Sequence, residues 1–265
     1  QVPRHAVERV GQGGLPFPHE QFPWACSYYD ARMECPERYC VALLREIELA
    51  AVQQGTDFRL LTYHQAEVVG DQIAIRSVTE PCSPREDVTD VRSDSPYTLR
   101  PTLVINATGA WGDWTLKALP CPAPPLFGGT KGSHLVVDRF PGAPDDVVYY
   151  ESRRDGRLVL VIPWMGRLLI GTTDLRFERD PDEARCDADE MTYLLDEVNE
   201  LIPEAGLTPE SVLFTYSGVR PLPYAPDVPE WNVPRSHVLH DHAPSLPGLV
   251  TVVGGKLTTY RQLAQ

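Results

Sequence analysis

Between Ser133 and Asp174 lie four short β-rich runs, "SHLVVD", "DVVYYES", "RLVLVIPW" and "LLIGTTD". Connections this short leave antiparallel neighbours as the way to pair them, because a parallel pair needs a long crossover. Asp155-Gly156 separates the second and third runs, a hairpin signal, since both residues tolerate left-handed backbone. Met165-Gly166 separates the third and fourth. Next comes "DADEMTYLLDEVNELIP", where Asp187 is placed to cap a helix with Glu190 three residues on. Met191, Leu194, Leu195, Val198 and Ile202 form one apolar face of that helix. The middle of the chain is therefore expected to be an antiparallel meander covered by a helix, an α+β unit.

The flanks read differently. Residues 1–25 are rich in Gly, Pro and polar side chains and are expected to be irregular. Pro36 suits a first helical position and Gly55 a C-terminal stop, and Cys40, Leu43, Leu44, Ile47 and Ala51 recur between them at helical spacing. That stripe assigns Cys40 to core packing. Strands are expected over Phe58–Val69 and Ile73–Val78, joined near Gly70-Asp71, with an exposed loop over 80–97. "LRPTLVINATGAW" reads as a buried strand ending at Gly109, and Leu249–Val253 as a buried parallel strand running into Gly254-Gly255. The expected fold class is α/β plus α+β: residues 1–125 and 246–265 belong to an α/β domain, and 126–245 form an inserted antiparallel-sheet domain.

Composition excludes several functions. The formal net charge of −13 disfavours nucleic acid and anionic lipid as partners, while leaving room for a local cationic pocket. No run is apolar enough to span a membrane, and the N-terminus, with no initiator Met and no signal-peptide core, reads as a cut in a longer protein. Six cysteines, none in a Cys-x-x-Cys pair and none beside a His cluster, predict reduced thiols, a cytoplasmic location and no metal site.

Four stretches are candidates for chemistry, and each has a plainer alternative. "INATGAW" ends a strand in Ala107-Thr108-Gly109, where backbone can pass close to a ligand; an ordinary strand-to-loop turn does the same. In "GGTKGSHLVVD", Gly128, Gly129 and Gly132 surround Lys131, a glycine-rich turn able to offer amides to an anion, and His134 is a candidate base; a lone histidine is more often structural. In "YSGVRPLPY", Arg220 suits a bidentate grip on phosphate or carboxylate, or else a structural ion pair. "VTVVGGKLTTYRQ" offers Gly254-Gly255, then Lys256, then a helix start that Thr258 or Thr259 can cap; a generic strand–turn–helix needs no lysine there.

Taken together, "SYYDARMECPERYCVALLREIELAAVQQG", "INATGAW", "TKGSHLVV", "RLVLVIPWMGRLLIGTTD", "DEMTYLLDEVNELIPEAGLTPESV", "YSGVRPL" and "VVGGKLTTYR" resemble, in order and wording, the FAD-dependent glycerol-3-phosphate dehydrogenases. The resemblance runs from about Ser27 to the end. It implies a partial Rossmann-type FAD-binding domain interleaved with the antiparallel substrate domain. The implied activity is oxidation of sn-glycerol 3-phosphate to dihydroxyacetone phosphate, with hydride passing to flavin N5 and electrons to quinone, or to oxygen in a related oxidase branch. Also implied are peripheral contact with the inner face of the membrane and a homodimer. By similarity His134, Arg220 and Lys256 are catalytic, and with Thr259 they contact substrate. Ala107, Thr108, Gly109, Gly254, Gly255, Lys256, Leu257 and Thr258 border FAD.

Two departures qualify the resemblance. The family's Gly-x-Gly-x-x-Gly segment is not found, since Gly11, Gly13 and Gly14 have the wrong spacing, and the C-terminal helical domain is not in the sequence. The expectation is that the chain alone holds FAD weakly or not at all. A non-catalytic remnant that binds a phosphorylated ligand or a partner, and an amino-acid or amine oxidase of the same superfamily, are the alternatives.

Overall fold

The computed structural model describes residues 5–10, 17–18, 20–70, 72–78, 97–119 and 123–265. The glycine cluster at 11–14, Asp71, Cys82, Cys121 and nearly all of the loop expected over 80–97 lie outside them. In chain order come β1 (Ala6–Arg9), β2 (Trp24–Ser27), α1 (Pro36–Gln54), β3 (His64–Val69), β4 (Gln72–Ser77), β5 (Tyr97–Leu99), β6 (Val104–Asn106), α2 (Gly112–Lys117), β7 (Thr130–Val137), β8 (Val148–Glu151), β9 (Leu158–Trp164), β10 (Arg167–Gly171), β11 (Leu175–Arg176), α3 (Ala188–Leu201), β12 (Val212–Arg220), β13 (Val238–Asp241), β14 (Leu249–Val253) and α4 (Tyr260–Ala264). The mixture of α/β and antiparallel α+β elements is the expected class. The chain divides into two compact units, residues 32–104 and the remainder.

In the unit 32–104, α1 begins at Pro36 and stops where Gly55 turns left-handed at φ 67°, as the sequence predicts. Strands β3 and β4 form a hairpin, and β5 joins β4. The expected strand from Phe58 starts only at His64, because Val78 N–H donates to Tyr63 O and closes the ladder there. Cys40 is exposed rather than in a core. Only Ala51 is a buried apolar residue among the described residues of this unit, so the α1 stripe finds little to face.

The other unit is built on an antiparallel sheet. Strands β8, β9 and β10 form a meander as expected, turning at Met165 (φ 50°) and Gly166 (φ 78°), but β7, the first of the four runs, pairs with β10 and not with β8. Strand β7 lies centrally, with β12 along one edge and β10 followed by β11 along the other. Leu135, Val137, Val159, Val161, Leu168 and Ile170 point to one side, where Leu194, Leu195, Val198, Leu201 and Ile202 of α3 and its C-cap seal them. Asp187 and Glu190 form the predicted capping box. Because side chains alternate across a strand, His134 and Val136 of β7, Leu169 and Gly171 of β10, and Tyr216 and Gly218 of β12 share the side away from α3.

A second sheet orders β13, β14 and β6. Leu249–Val253 is a strand as expected, but it pairs antiparallel with β13. The β6 strand is shorter than expected and Ile105 is 59% exposed, since its outward face has no covering layer among the described residues.

Candidate functional site

The side of the sheet away from α3 brings His134 and Arg220 together. Antiparallel register sets Tyr216 opposite His134, Gly218 opposite Gly132 and Arg220 opposite Thr130. The imidazole of His134 stacks on Tyr216, centroids 4.8 Å apart and planes 13° from parallel. A Cβ on Gly171 would stand 2.2 Å from His134 Cδ2, and one on Gly132 would stand 2.2 Å from Arg220 Nη2. Each ring or fork thus lies flat on a strand that only glycine leaves open. Gly132 and His134 are two residues apart on one strand face, a rise of about 7 Å along β7, and the guanidinium lies over the first of them.

Arg220 is held firmly. Its Nη1 donates to Asp174 Oδ1 at 3.0 Å and to Thr130 Oγ1 at 3.5 Å. Its Nη2 donates to Thr172 Oγ1 at 2.9 Å and to Thr173 O at 3.2 Å. Asp174, 10% exposed at its side chain, also pairs with Arg235 at 3.2 Å. The structural ion pair foreseen as the plainer role of Arg220 therefore exists, and it fixes a positive charge beside His134. Burial, and then that charge, push the His134 pKa down to about 4. Its Nδ1 is buried with no hydrogen-bond partner. The imidazole is neutral at neutral pH, with proton-accepting capacity unspent.

The glycine-rich turn expected around Lys131 is not an anion site. Thr130 to Val137 is continuous strand, and Lys131 points to the α3 side, where its buried Nζ pairs with Glu190 at 2.7 Å. Gly128 and Gly129 are required by close packing instead: a Cβ would meet Pro223 O at 3.2 Å and Val219 Cγ1 at 2.7 Å, respectively.

The remaining candidates cluster around β6 and β14. Asn106 Nδ2 donates to Thr251 Oγ1 at 3.3 Å, tying the two strands. Asn106 Oδ1 accepts from the Thr108 hydroxyl at 2.7 Å and from its amide at 3.3 Å, so Thr108 shapes the turn with both groups. Gly109 is left-handed at φ 61°, and a Cβ on it would meet nothing within 4 Å, which leaves bare backbone beside Ala107. Gly254 (φ 73°) donates its amide to Pro221 O at 2.9 Å, joining this turn to the residue after Arg220. Gly255 is also left-handed, at φ 88°. Lys256, Leu257 and Thr258 are exposed. Thr259 donates its hydroxyl to Lys256 O at 3.0 Å and accepts from Lys256 N–H at 3.3 Å.

Sequence reasoning missed Tyr216, the Thr172–Asp174 segment and Arg235. "TTD" directly after a strand was a polar cluster, but only the pairing of residues 130 and 220 gives it a partner.

A model of the FAD dependent oxidoreductase family matches residues 3–261. The chain belongs to that family. This FAD dependent oxidoreductase is 37% identical over 258 residues to a glycerol-3-phosphate dehydrogenase of Synechocystis, an alignment covering 90% of the chain and 43% of the relative. It is 30% identical over 179 residues to an aerobic glycerol-3-phosphate dehydrogenase of Staphylococcus aureus, covering 68% of the chain and 32% of the relative. The structure of the glycerol-3-phosphate dehydrogenase from Bacillus halodurans complexed with FAD superposes with a TM-score of 0.62 at 28% identity, covering 83% of this chain and 40% of that one. The oxidoreductase chain thus spans less than half the length of these relatives.

Proposed function

We propose that this chain supplies the substrate-facing sheet, and the edge of the cofactor site, of an FAD-dependent glycerol-3-phosphate dehydrogenase. The observation that carries the reading is the neutral His134 set beside the fixed Arg220 charge on the side of the sheet away from α3. The kinship with dehydrogenases of that name supports it.

The residues fit a flavin. Gly109 and Gly218 present backbone that a Cβ would not crowd within 4 Å, and the sequence resemblance sets Ala107, Gly255, Leu257 and Thr258 beside the flavin. When bound, FAD supplies the two-electron hydride acceptor. The chain's own residues do the rest. His134 accepts the proton of the C2 hydroxyl as the C2 hydrogen departs with its electron pair, leaving the ketone of dihydroxyacetone phosphate. Arg220 contributes a preorganised positive charge at the reacting face. Its Nη hydrogens are engaged within the protein, so we assign the phosphate dianion, or the flavin's pyrimidine edge, to the exposed Lys256. The same reading takes in a quinone acceptor, peripheral contact with the inner membrane face and a homodimer, as in the sequence resemblance. No helix among the described residues is long and apolar enough to cross a membrane.

The test is dye reduction by the flavin-loaded polypeptide that carries this chain, with sn-glycerol 3-phosphate compared against glycerol and amino acids. Reduction by glycerol 3-phosphate alone is expected, with Lys256→Ala raising KM and His134→Gln lowering kcat at least tenfold. Equal reduction by amino acids would overturn the substrate assignment.

A further inference from the structure

Between the β7–β10 pair at His134 and Gly171 and the β7–β11 pair at Lys131 and Leu175, β7 has two residues and the facing segment three. The extra residue makes a bulge of Thr172, Thr173 and Asp174. All three grip Arg220 on the side away from α3: the Thr172 hydroxyl, the Thr173 carbonyl and the Asp174 carboxylate. This bulge is held from behind. The Thr173 hydroxyl accepts from Ser133 N–H at 2.9 Å, replacing the missing ladder bond, and donates to Glu190 Oε1 at 2.6 Å.

Glu190 is 2% exposed at its side chain and fully engaged. Oε1 also accepts from Ser133 Oγ at 2.9 Å, and Oε2 accepts from Lys131 Nζ at 2.7 Å and from Asp187 N–H at 3.1 Å. A capping box alone needs only the last of these. A buried ion pair is not required for stability, since well-packed apolar residues usually serve as well. The feature that asks for a carboxylate here is the simultaneous hold on Ser133, next to His134, and on Thr173, within the bulge.

We propose that Glu190 is a positioning residue: from the helix-covered side of the sheet it fixes, through Thr173, the bulge that holds Arg220 in place beside His134 on the side away from α3. Its functional weight rests on the reading of that side as the reacting face. Its geometry is testable without flavin or substrate. Arg220 is the charged group acting on His134, with Asp174 and Arg235 acting on Arg220 in turn. Guanidinium displacement therefore releases the imidazole from repulsion.

The experiment follows the His134 imidazole titration by NMR in this chain, assigned with His134→Gln, for Glu190→Gln, Thr173→Val, Thr173→Ser and Val198→Ala. Thr173→Val, which leaves every charge in place, is expected to raise the midpoint by about one pH unit; Glu190→Gln, which also leaves the Lys131 cation without its buried carboxylate, should raise it by less. Thr173→Ser, which keeps the hydroxyl, should restore it. Val198→Ala, a core cavity under α3 with no link to the bulge, should lower the denaturation midpoint and leave the titration in place. Should Glu190→Gln fail to fold, Thr173→Val decides. A folded Thr173→Val with an unmoved midpoint, or an equal shift in Val198→Ala, overturns the proposal. Failure of the dehydrogenase reading would leave these shifts intact.

Discussion

Helices α1 and α3 both carry an apolar stripe in the sequence, and they fare differently. α3 buries Leu194, Leu195, Val198 and Leu201 against a sheet that offers three strands of inward-pointing Val, Leu and Ile. α1 buries Ala51, while Leu43 and Leu44 are half-buried, Ile47 is 45% exposed and Cys40 is exposed. A stripe becomes a core only when a facing layer exists. In the unit 32–104 the sheet has three short strands, and every residue of β3 is exposed. Apolar periodicity thus reports what a helix can bury, and the facing layer decides what it does bury.

The sharpest way to break this contrast is by truncation in each helix. Leu194→Ala should cost about 3 kcal/mol in chemical denaturation, because the surrounding layer cannot collapse into the cavity. If Ile47→Ala, on the α1 stripe, costs as much, the contrast is wrong; a change of about 1 kcal/mol or less is expected there. Next in size is a pH effect confined to the well-packed unit. Unfolded imidazole titrates near 6.5 and folded His134 at about 4. Between those values the unfolded chain takes up a proton that the folded chain refuses. Stability should therefore fall as pH drops from about 6.5 to 4, by up to about 3 kcal/mol, and His134→Gln should flatten that part of the curve. Asp187→Ala removes the α3 cap and a Lys131 contact, and should cost about 1 kcal/mol. The gentlest test is amide exchange: α1 should exchange faster than α3, and equal protection would erase the distinction.

Local chemistry was legible in the sequence where one residue's conformation settles it. Pro36 and Gly55 bounded α1, Asp187 and Glu190 opened α3, and Met165-Gly166 marked a hairpin. His134 and Arg220 were recognisable as residue types worth attention. Their neighbours were not, because Thr172, Asp174 and Tyr216 matter only through pairings some forty to ninety residues apart. Lys131 misled for the same reason: its glycine neighbours suggested a ligand turn, whereas strand alternation sends its ammonium to the far side, onto Glu190.

The two glycines under Arg220 and His134 have a consequence for how this protein tolerates change. Gly132 and Gly171 touch their partners through atoms they do not possess. At these positions alanine is the bulky residue, and one methyl group would evict a guanidinium or an imidazole without altering any polar side chain. The composition of the site is thus written partly in hydrogen atoms, at positions where the loss of chemistry would look like a change of no chemical consequence.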